Sequence, residues 1–311
     1  MSAPAVSGDL AAAFGAEGLA AVRPPWRVLV SGARRSRLAL AGLLIIGLLA
    51  SVAVLAPVIA KEHPQPRSGI WSIHPADAKR PPSAGAPLGT DTLGRDLASR
   101  MIYGARTSLI VGVASVSLAI VVGTLFGAAA GYYGGWVDLV VMRVMDVVLA
   151  FPSILLALAI VIILGNGLLN VMLAVGIVSI PSYARIVRSS VLGEVGREYV
   201  TASRALGASD GRILFRHVLP NAISPLIVAA SLGIGSAILD AAGLSFLGLG
   251  AQPPLAEWGL MLADYRQHLF THWWLVLFPG IAIMLTVLGF NLLGDGLRDV
   301  LDPRLRGGRG A

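Results

Sequence analysis

Residues 108–132 read SLIVGVASVSLAIVVGTLFGAAAGY, twenty-five positions without a charge. At ~1.5 Å per residue, a helix of that length covers the ~30 Å of hydrocarbon in a bilayer. Helix is the form that satisfies every backbone N–H and C=O of a single segment where no water is present. Within it, Ser115, Ala119, Gly123, Gly127 and Gly131 recur at every fourth position. The stripe drifts slowly round a 3.6-residue helix and lets another helix approach closely. That neighbour is either part of the same bundle or a second membrane subunit.

The rest of the 311-residue chain repeats the pattern. It is 56% apolar and 13% charged, about half the charge of an ordinary soluble domain. Further apolar blocks lie at Leu38–Ala60, Val147–Leu164 (with Pro152 near its start), Leu169–Ala184, Ala222–Leu244 and Trp273–Leu293. The first is too long for the ~7–15-residue apolar region of a signal peptide and reads as an uncleaved span. The fold class is therefore an all-α membrane protein with six transmembrane helices. Residues 1–37 form a tail, 38–60 the first span, and 61–106 a proline-rich loop with a short helix from Asp96 to Arg106. Residues 107–294 are the transmembrane core, which includes a polar stretch at 185–221, and 295–311 are a second tail.

Arginine and lysine counts orient the bundle. With both termini in the cytoplasm, inner segments hold sixteen and outer segments eight of the 24 basic residues. Arg34, Arg35 and Arg37 abut the first span. The formal charge of +7 thus reads as topology, and no nucleic acid is expected as a partner. The sequence has no cysteine, so thiol nucleophiles and thiolate metal sites are excluded. Neither lysine, Lys61 or Lys79, follows a glycine, so there is no phosphate-binding Gly-Lys-Ser/Thr loop. Gly207-Ala-Ser-Asp-Gly211 matches Gly-x-Ser-x-Gly in letters, but lacks the strand and the His/Asp pair such a nucleophile needs. No enzymatic role is expected, and no cofactor or metal in this chain. His63, His74, His268 and His272 have no metal-ligand spacing.

The polar stretch reads as two short helices. The first runs from near Glu194 to Leu206, and Gly207 stops it by entering the left-handed region. Ser209 N-caps the second, with Asp210 at its positive end. Pro220 closes it and starts the next span. Ile213, Leu214 and Phe215 lie among Arg212, Arg216 and His217, an amphipathic pattern suited either to lipid headgroups or to a groove in a partner protein.

From Glu198 to Asn221 the chain resembles the EAA loop of ATP-binding-cassette importer permeases. Ala202 and Ser203 stand for Ala-Ala, Gly207 falls at the required glycine, and Leu219-Pro220 closes in register; Thr201 replaces the glutamate. Leu88-Gly-Thr-Asp-Thr-Leu-Gly-Arg-Asp96, Gly131-Tyr-Tyr-Gly-Gly-Trp-Val-Asp138, Leu149-Ala-Phe-Pro152, Tyr183-Ala-Arg185, Leu244-Ser-Phe-Leu-Gly-Leu-Gly250, Gly294-Asp-Gly-Leu-Arg-Asp299 and Asp302-Pro-Arg304 extend the resemblance. It points to the C-type subunits of dipeptide, oligopeptide and nickel permeases and covers 38–304.

The resemblance implies a type I importer fold in a bacterial cytoplasmic membrane. The implied partners are a second, B-type permease subunit, two ATPase subunits that bind ATP and Mg, and an extracytoplasmic substrate-binding protein. The coupling residues would be Glu198, Ala202, Ser203, Gly207, Ser209, Asp210, Arg212, Ile213, Phe215, Arg216, His217 and Pro220, transmitting force in an alternating-access cycle. Arg143 and Asp146, three apart, are expected to pair. Asp240, inside a span, is a translocation-path candidate; it either meets a peptide's amino terminus or bonds within the bundle. The rival class, an ion-coupled transporter, needs a relay of intramembrane ionisable groups that this sequence lacks. Within the resembled branch, nickel and glutathione are the alternative cargoes.

Overall fold

The computed structural model describes residues 36–64 and 71–301. Most of the tail 1–37, with Arg34 and Arg35, and the Asp302-Pro-Arg304 stretch lie outside the described residues. The described chain is helical, with two isolated β-bridges in the loop between the first two long helices.

Helix α1 (Arg37–Val54) starts where the Ser36 hydroxyl accepts the Ala39 N–H at 3.3 Å. After Leu55 a four-residue helix α2 (Ala56–Ile59) follows, carrying Pro57 in its first turn. Helix α3 (Leu97–Tyr133) is 37 residues long, because nothing between Arg106 and Ser108 breaks it. The expected short helix and second span are one rod of about 55 Å. Gly134 and Gly135, both at positive φ (63° and 51°), turn the chain into α4 (Gly135–Leu149).

The expected third span is corrected here. Phe151 and Pro152 separate α4 from α5 (Ser153–Leu164), and the two axes meet at 89°. Proline lacks the N–H that would continue the ladder and pushes its predecessor out of the α region. With 12 residues, α5 rises only about 18 Å. Among the described residues five helices are long and apolar enough to cross a bilayer, and six spans result when the bent pair counts as one.

Helix α6 (Leu168–Val195) carries on through Arg185 to Glu194, which sequence reading assigned to a polar loop. Two short helices follow, α7 (Glu198–Ala205) and α8 (210–222). Then come α9 (Ser224–Phe246), α10 (Trp258–Tyr265) and α11 (Trp274–Leu301). The principal packing is α3 on α6, which run parallel: Ser115 lies by Gly176, Gly123 by Tyr183 and Gly131 by Arg188 and Val191. Ser115, Ala119, Gly123, Gly127 and Gly131 are all buried in it; a Cβ on Gly123 would lie 2.8 Å from Tyr183 Cβ and 3.0 Å from both Ala184 N and Ile180 O. The outer surface is apolar, with Leu44, Leu48, Val54, Val58 and Ile163 exposed, as lipid contact requires.

At one end of the bundle the loop 71–96 and α10 clamp the start of α3. Asp91, fully buried, accepts bonds from the Leu93 and Arg95 amides (2.8 and 3.0 Å), Arg95 Nε (2.5 Å), Arg100 Nη1 (2.9 Å) and the Tyr265 hydroxyl (3.0 Å). Burial acts to raise the Asp91 carboxyl, but Arg95, Arg100 and the two amides hold it below the usual carboxylate range. Glu257 caps α10 by accepting the Gly259 and Leu260 N–H groups, each at 2.8 Å, and burial pushes its carboxyl up. The opposite end carries α7 and α8.

Candidate functional site

Helix α7 begins at Glu198, not near Glu194. Glu194 belongs to the end of α6, where it takes an ion pair from Arg197 at 3.1 Å and a bond from the Tyr199 hydroxyl at 2.7 Å. Burial first, then this carboxylate, raises the Tyr199 phenol above its ordinary range. Helix α7 ends in a double-bonded left-handed cap. The Gly207 N–H donates to Arg204 O (3.0 Å), the Ala208 N–H donates to Ser203 O (3.1 Å), and Gly207 sits at φ +79°. Ser203 Oγ returns a bond to Tyr199 O at 2.8 Å, while Ala202 and Glu198 are exposed.

Helix α8 comprises Asp210–Arg212, a π turn over Ile213–Val218, and Leu219–Ala222. Ser209 stands at its N-cap in extended backbone, but its side chain makes no capping bond, contrary to the sequence expectation. Asp210 instead accepts the Tyr132 hydroxyl at 2.7 Å, which ties α8 to the end of α3. Arg204 also bonds Tyr132, and that bond raises the guanidinium above its ordinary value. Pro220 does not close the helix as expected. The wide π register precedes it, the Asn221 side-chain amide donates to His217 O at 2.8 Å, and only Ile223 separates α8 from α9.

The segment has two faces. Val200, Ile213, Leu214 and Val218 are buried in the principal core, so α7 and α8 cannot move without disturbing the ends of α3, α6 and α9. The other face shows Leu206 at 88% and Phe215 at 61% exposure, with Arg204, Arg212 and Arg216 around them. Two bare apolar side chains in a basic rim have the composition of a docking face.

Beside this segment, α4 is fastened to α6. Arg188 grips Asp138 with Nε and Nη2 along one guanidinium edge (2.5 Å for Nη2–Oδ2), and Arg185 reaches Asp146 at 2.7 Å. Asp146 therefore has a closer partner than the expected Arg143, which stands 3.9 Å away. The far end of α4 meets a cavity of about 130 Å³ lined by Asp240 with Ser153, Ser179, Ser182, Phe151 and Ile154 among others. Asp240, on the helix that follows α8, makes no hydrogen bond or ion pair to any described residue, so the expected bond within the bundle is not made among these residues. Sequence reading missed Tyr132, Tyr199, Asp138 and Arg188. Tyr132 finds its partner Asp210 78 positions away, Tyr199 bonds Glu194 across the break between two helices, and the ion pair spans 50 positions. Among the described residues no group of three or more His, Cys, Asp or Glu is placed to hold a metal.

Comparison with known proteins gives concordant matches. Residues 123–307 match the family model described as binding-protein-dependent transport system inner membrane component. Residues 24–82 match the N-terminal transmembrane domain of oligopeptide transport permease C. The chain is 48% identical to the dipeptide transport system permease protein DppC of Alkalihalophilus pseudofirmus, over 91% of each chain. It is 50% identical to the di/tripeptide transport system permease protein DppC of Pseudomonas aeruginosa, over 86% of this chain and 88% of that one. Identity to the glutathione transport system permease protein GsiD of Pectobacterium atrosepticum is 46%, over 92% and 93%. Among solved structures, an inward-facing MetNI methionine ABC transporter chain superposes with a TM-score of 0.52 at 20% identity, covering 65% of this chain and 97% of that one. At that identity the likeness concerns the fold alone.

Proposed function

The chain belongs to the binding-protein-dependent transport system inner membrane components, and on that premise we propose that it forms half of the translocation pathway of an ATP-driven peptide importer. The relatives are named for dipeptides, di- and tripeptides and glutathione, all of them peptides. A peptide is therefore the cargo class. A second permease subunit completes the pathway, two ATPase subunits bind ATP and Mg, and an extracytoplasmic binding protein delivers the cargo. Both termini and the 185–221 stretch face the cytoplasm, in keeping with the excess of arginine there.

The observation that carries this reading is the two-faced α7–α8 unit. A helix pair that buries Val200, Ile213, Leu214 and Val218 in its own bundle yet leaves Leu206 and Phe215 bare is sticky on its outer face. Those two side chains, with Gly207 between them setting their relative direction, enter a groove on an ATPase subunit. When the ATPase pair closes on ATP, the groove moves α8. Through Val200, Ile213 and Val218, and through the Tyr132–Asp210 bond, that displacement reaches α3, α6 and α9 together. The Arg188–Asp138 and Arg185–Asp146 pairs carry it into α4 and so to the wall of the Asp240 cavity. Glu198, Ala202, Ser203, Ser209, Arg212, Arg216, His217 and Pro220 belong to this mechanical unit and perform no chemistry.

The test is uptake of a labelled dipeptide into proteoliposomes that hold the four membrane and ATPase chains, with the binding protein present. Uptake should require ATP and should fall with Phe215→Ala to a small fraction of the unsubstituted rate. Uptake that proceeds without ATP, or follows an imposed proton gradient instead, would refute the importer reading in favour of an ion-coupled transporter.

A further inference from the structure

Asp240 is the lone charged side chain of α9. It projects into the cavity of about 130 Å³ that α4, α5, α6 and α9 enclose, and no described residue bonds to it. An ionisable group within an apolar span and without a partner is costly, and such groups mark substrate or ion pathways. The cavity supplies what the carboxylate lacks. Its volume is several times the ~30 Å³ share of one water molecule. One wall is the helix break at Phe151–Ser153, and irregular backbone at membrane depth is tolerated where it lines a hydrated cavity.

The polar atoms of the lining are weighted toward acceptors. The Ser179 hydroxyl spends its proton on Val175 O at 2.7 Å, which leaves its oxygen lone pairs for a ligand. Asp240 adds two carboxylate oxygens, and Ser153 and Ser182 contribute hydroxyls that turn either way. No basic side chain lies in the lining. An anion would find a like charge here. A primary ammonium, with three donors and no acceptor, matches the set.

We propose that this cavity is a transient subsite for a primary ammonium group, the amino terminus of the peptide in transit, with Asp240 as its counter-charge. The proposal rests on the peptide-import reading above and adds an orientation: the amino end enters on this subunit's side. The bend between α4 and α5 forms part of the subsite, so the ion pairs that fasten α4 to α6 couple its shape to the α7–α8 unit.

The absence of cysteine makes the test clean. In the assembled complex, Ser182→Cys puts this chain's one thiol in the cavity wall. Its modification rates by an aminoethyl (cationic) and a methyl (neutral) methanethiosulfonate are compared after correction for each reagent's reactivity with a free thiol. The cationic reagent should be preferred by about tenfold, and Asp240→Asn should bring the ratio near unity, whereas Asp240→Glu should preserve it. A dipeptide with a free amino terminus should slow labelling, its N-acetylated form should not, and Asp240→Asn should abolish the protection. A ratio that ignores Asp240→Asn, a loss shared equally by Asp240→Glu, or equal protection by the N-acetylated dipeptide would overturn the proposal. ATP-driven uptake by the unsubstituted complex is read separately. Uptake with charge-blind labelling refutes the subsite alone, and Asp240-dependent labelling with ATP-independent uptake refutes the import reading alone.

Discussion

Adding one methyl group at Gly123 probes the packing on which the whole bundle depends. A Cβ there falls 2.8 Å from Tyr183 Cβ and 3.0 Å from both Ala184 N and Ile180 O. Carbon atoms settle near 3.5 Å, so α3 and α6 must part by about 0.7 Å. Two of the three obstacles are backbone atoms, and trimming a side chain on α6 cannot make room. Overpacking of this kind costs about 1–3 kcal/mol. Alanine in place of glycine returns up to about 1 kcal/mol of helix propensity, so the control must be a glycine that gains the propensity without the clash. Gly193, also helical, has nothing within 4 Å of its added Cβ. Gly123→Ala should therefore unfold below Gly193→Ala by the overpacking alone, about 2–5 °C for a chain of this size. Thermal unfolding of the purified complex in detergent, followed by tryptophan fluorescence, reads this difference. A second control separates backbone from side-chain crowding. Gly294→Ala meets Leu232 Cδ2 at 2.5 Å, a side-chain obstacle that Leu232→Ala should relieve. If Gly123→Ala unfolds together with Gly193→Ala, the close α3–α6 approach is refuted.

Gly207 has open space around it but a φ of +79°, so strain rather than crowding governs its replacement. Gly207→Val should abolish uptake and Gly207→Asn should largely keep it, since asparagine tolerates the left-handed region; equal uptake by both variants would contradict this. Asp138→Arg should weaken the complex by about 1–2 kcal/mol, because it leaves a part-buried Arg188 facing a like charge, and the added Arg188→Asp should restore most of it. A purely additive double variant in thermal unfolding would count against the pair. Asp91 has a depressed carboxyl, so its contribution is present above the ordinary value of 3.8 and is lost as pH falls through the lower folded value. Unfolding temperature should drop steeply below pH 3.8; Asp91→Asn should lose about 3–5 kcal/mol at neutral pH and show a flatter acid limb. An unchanged acid limb in the variant would refute the role of this network.

Much of this fold is written in hydropathy. The blocks at Leu38–Ala60, Ser108–Tyr132, Leu169–Ala184, Ala222–Leu244 and Trp273–Leu293 fall on described helices, because an apolar run of that length with at most one charge has few other stable forms. Hydropathy is blind to direction, however. Val147–Leu164 is as apolar as any other block, and only Pro152 hints that the chain turns through 89° inside it. Charge also misleads about helix ends. Arg188 looks like a loop residue, yet α6 runs straight through it because Asp138 neutralises it from another element. The α7–α8 segment was legible as two helices around Gly207, since left-handed backbone favours glycine locally. Which of its apolar residues face inward was not legible. Ile213, Leu214 and Phe215 are consecutive, and the π turn that buries the first two and bares the third leaves no periodic signature.

The central claim is that the bare face around Phe215 is the handle by which a separate ATPase moves this bundle. Co-purification from detergent-solubilised membranes tests it most directly, with this chain as bait and its partner chains co-expressed. Phe215→Asp, which leaves the buried anchors untouched, should lose the ATPase subunits while retaining the second permease subunit, and uptake should cease. Full retention of the ATPase subunits by Phe215→Asp, with ATP-driven uptake intact, would contradict the claim.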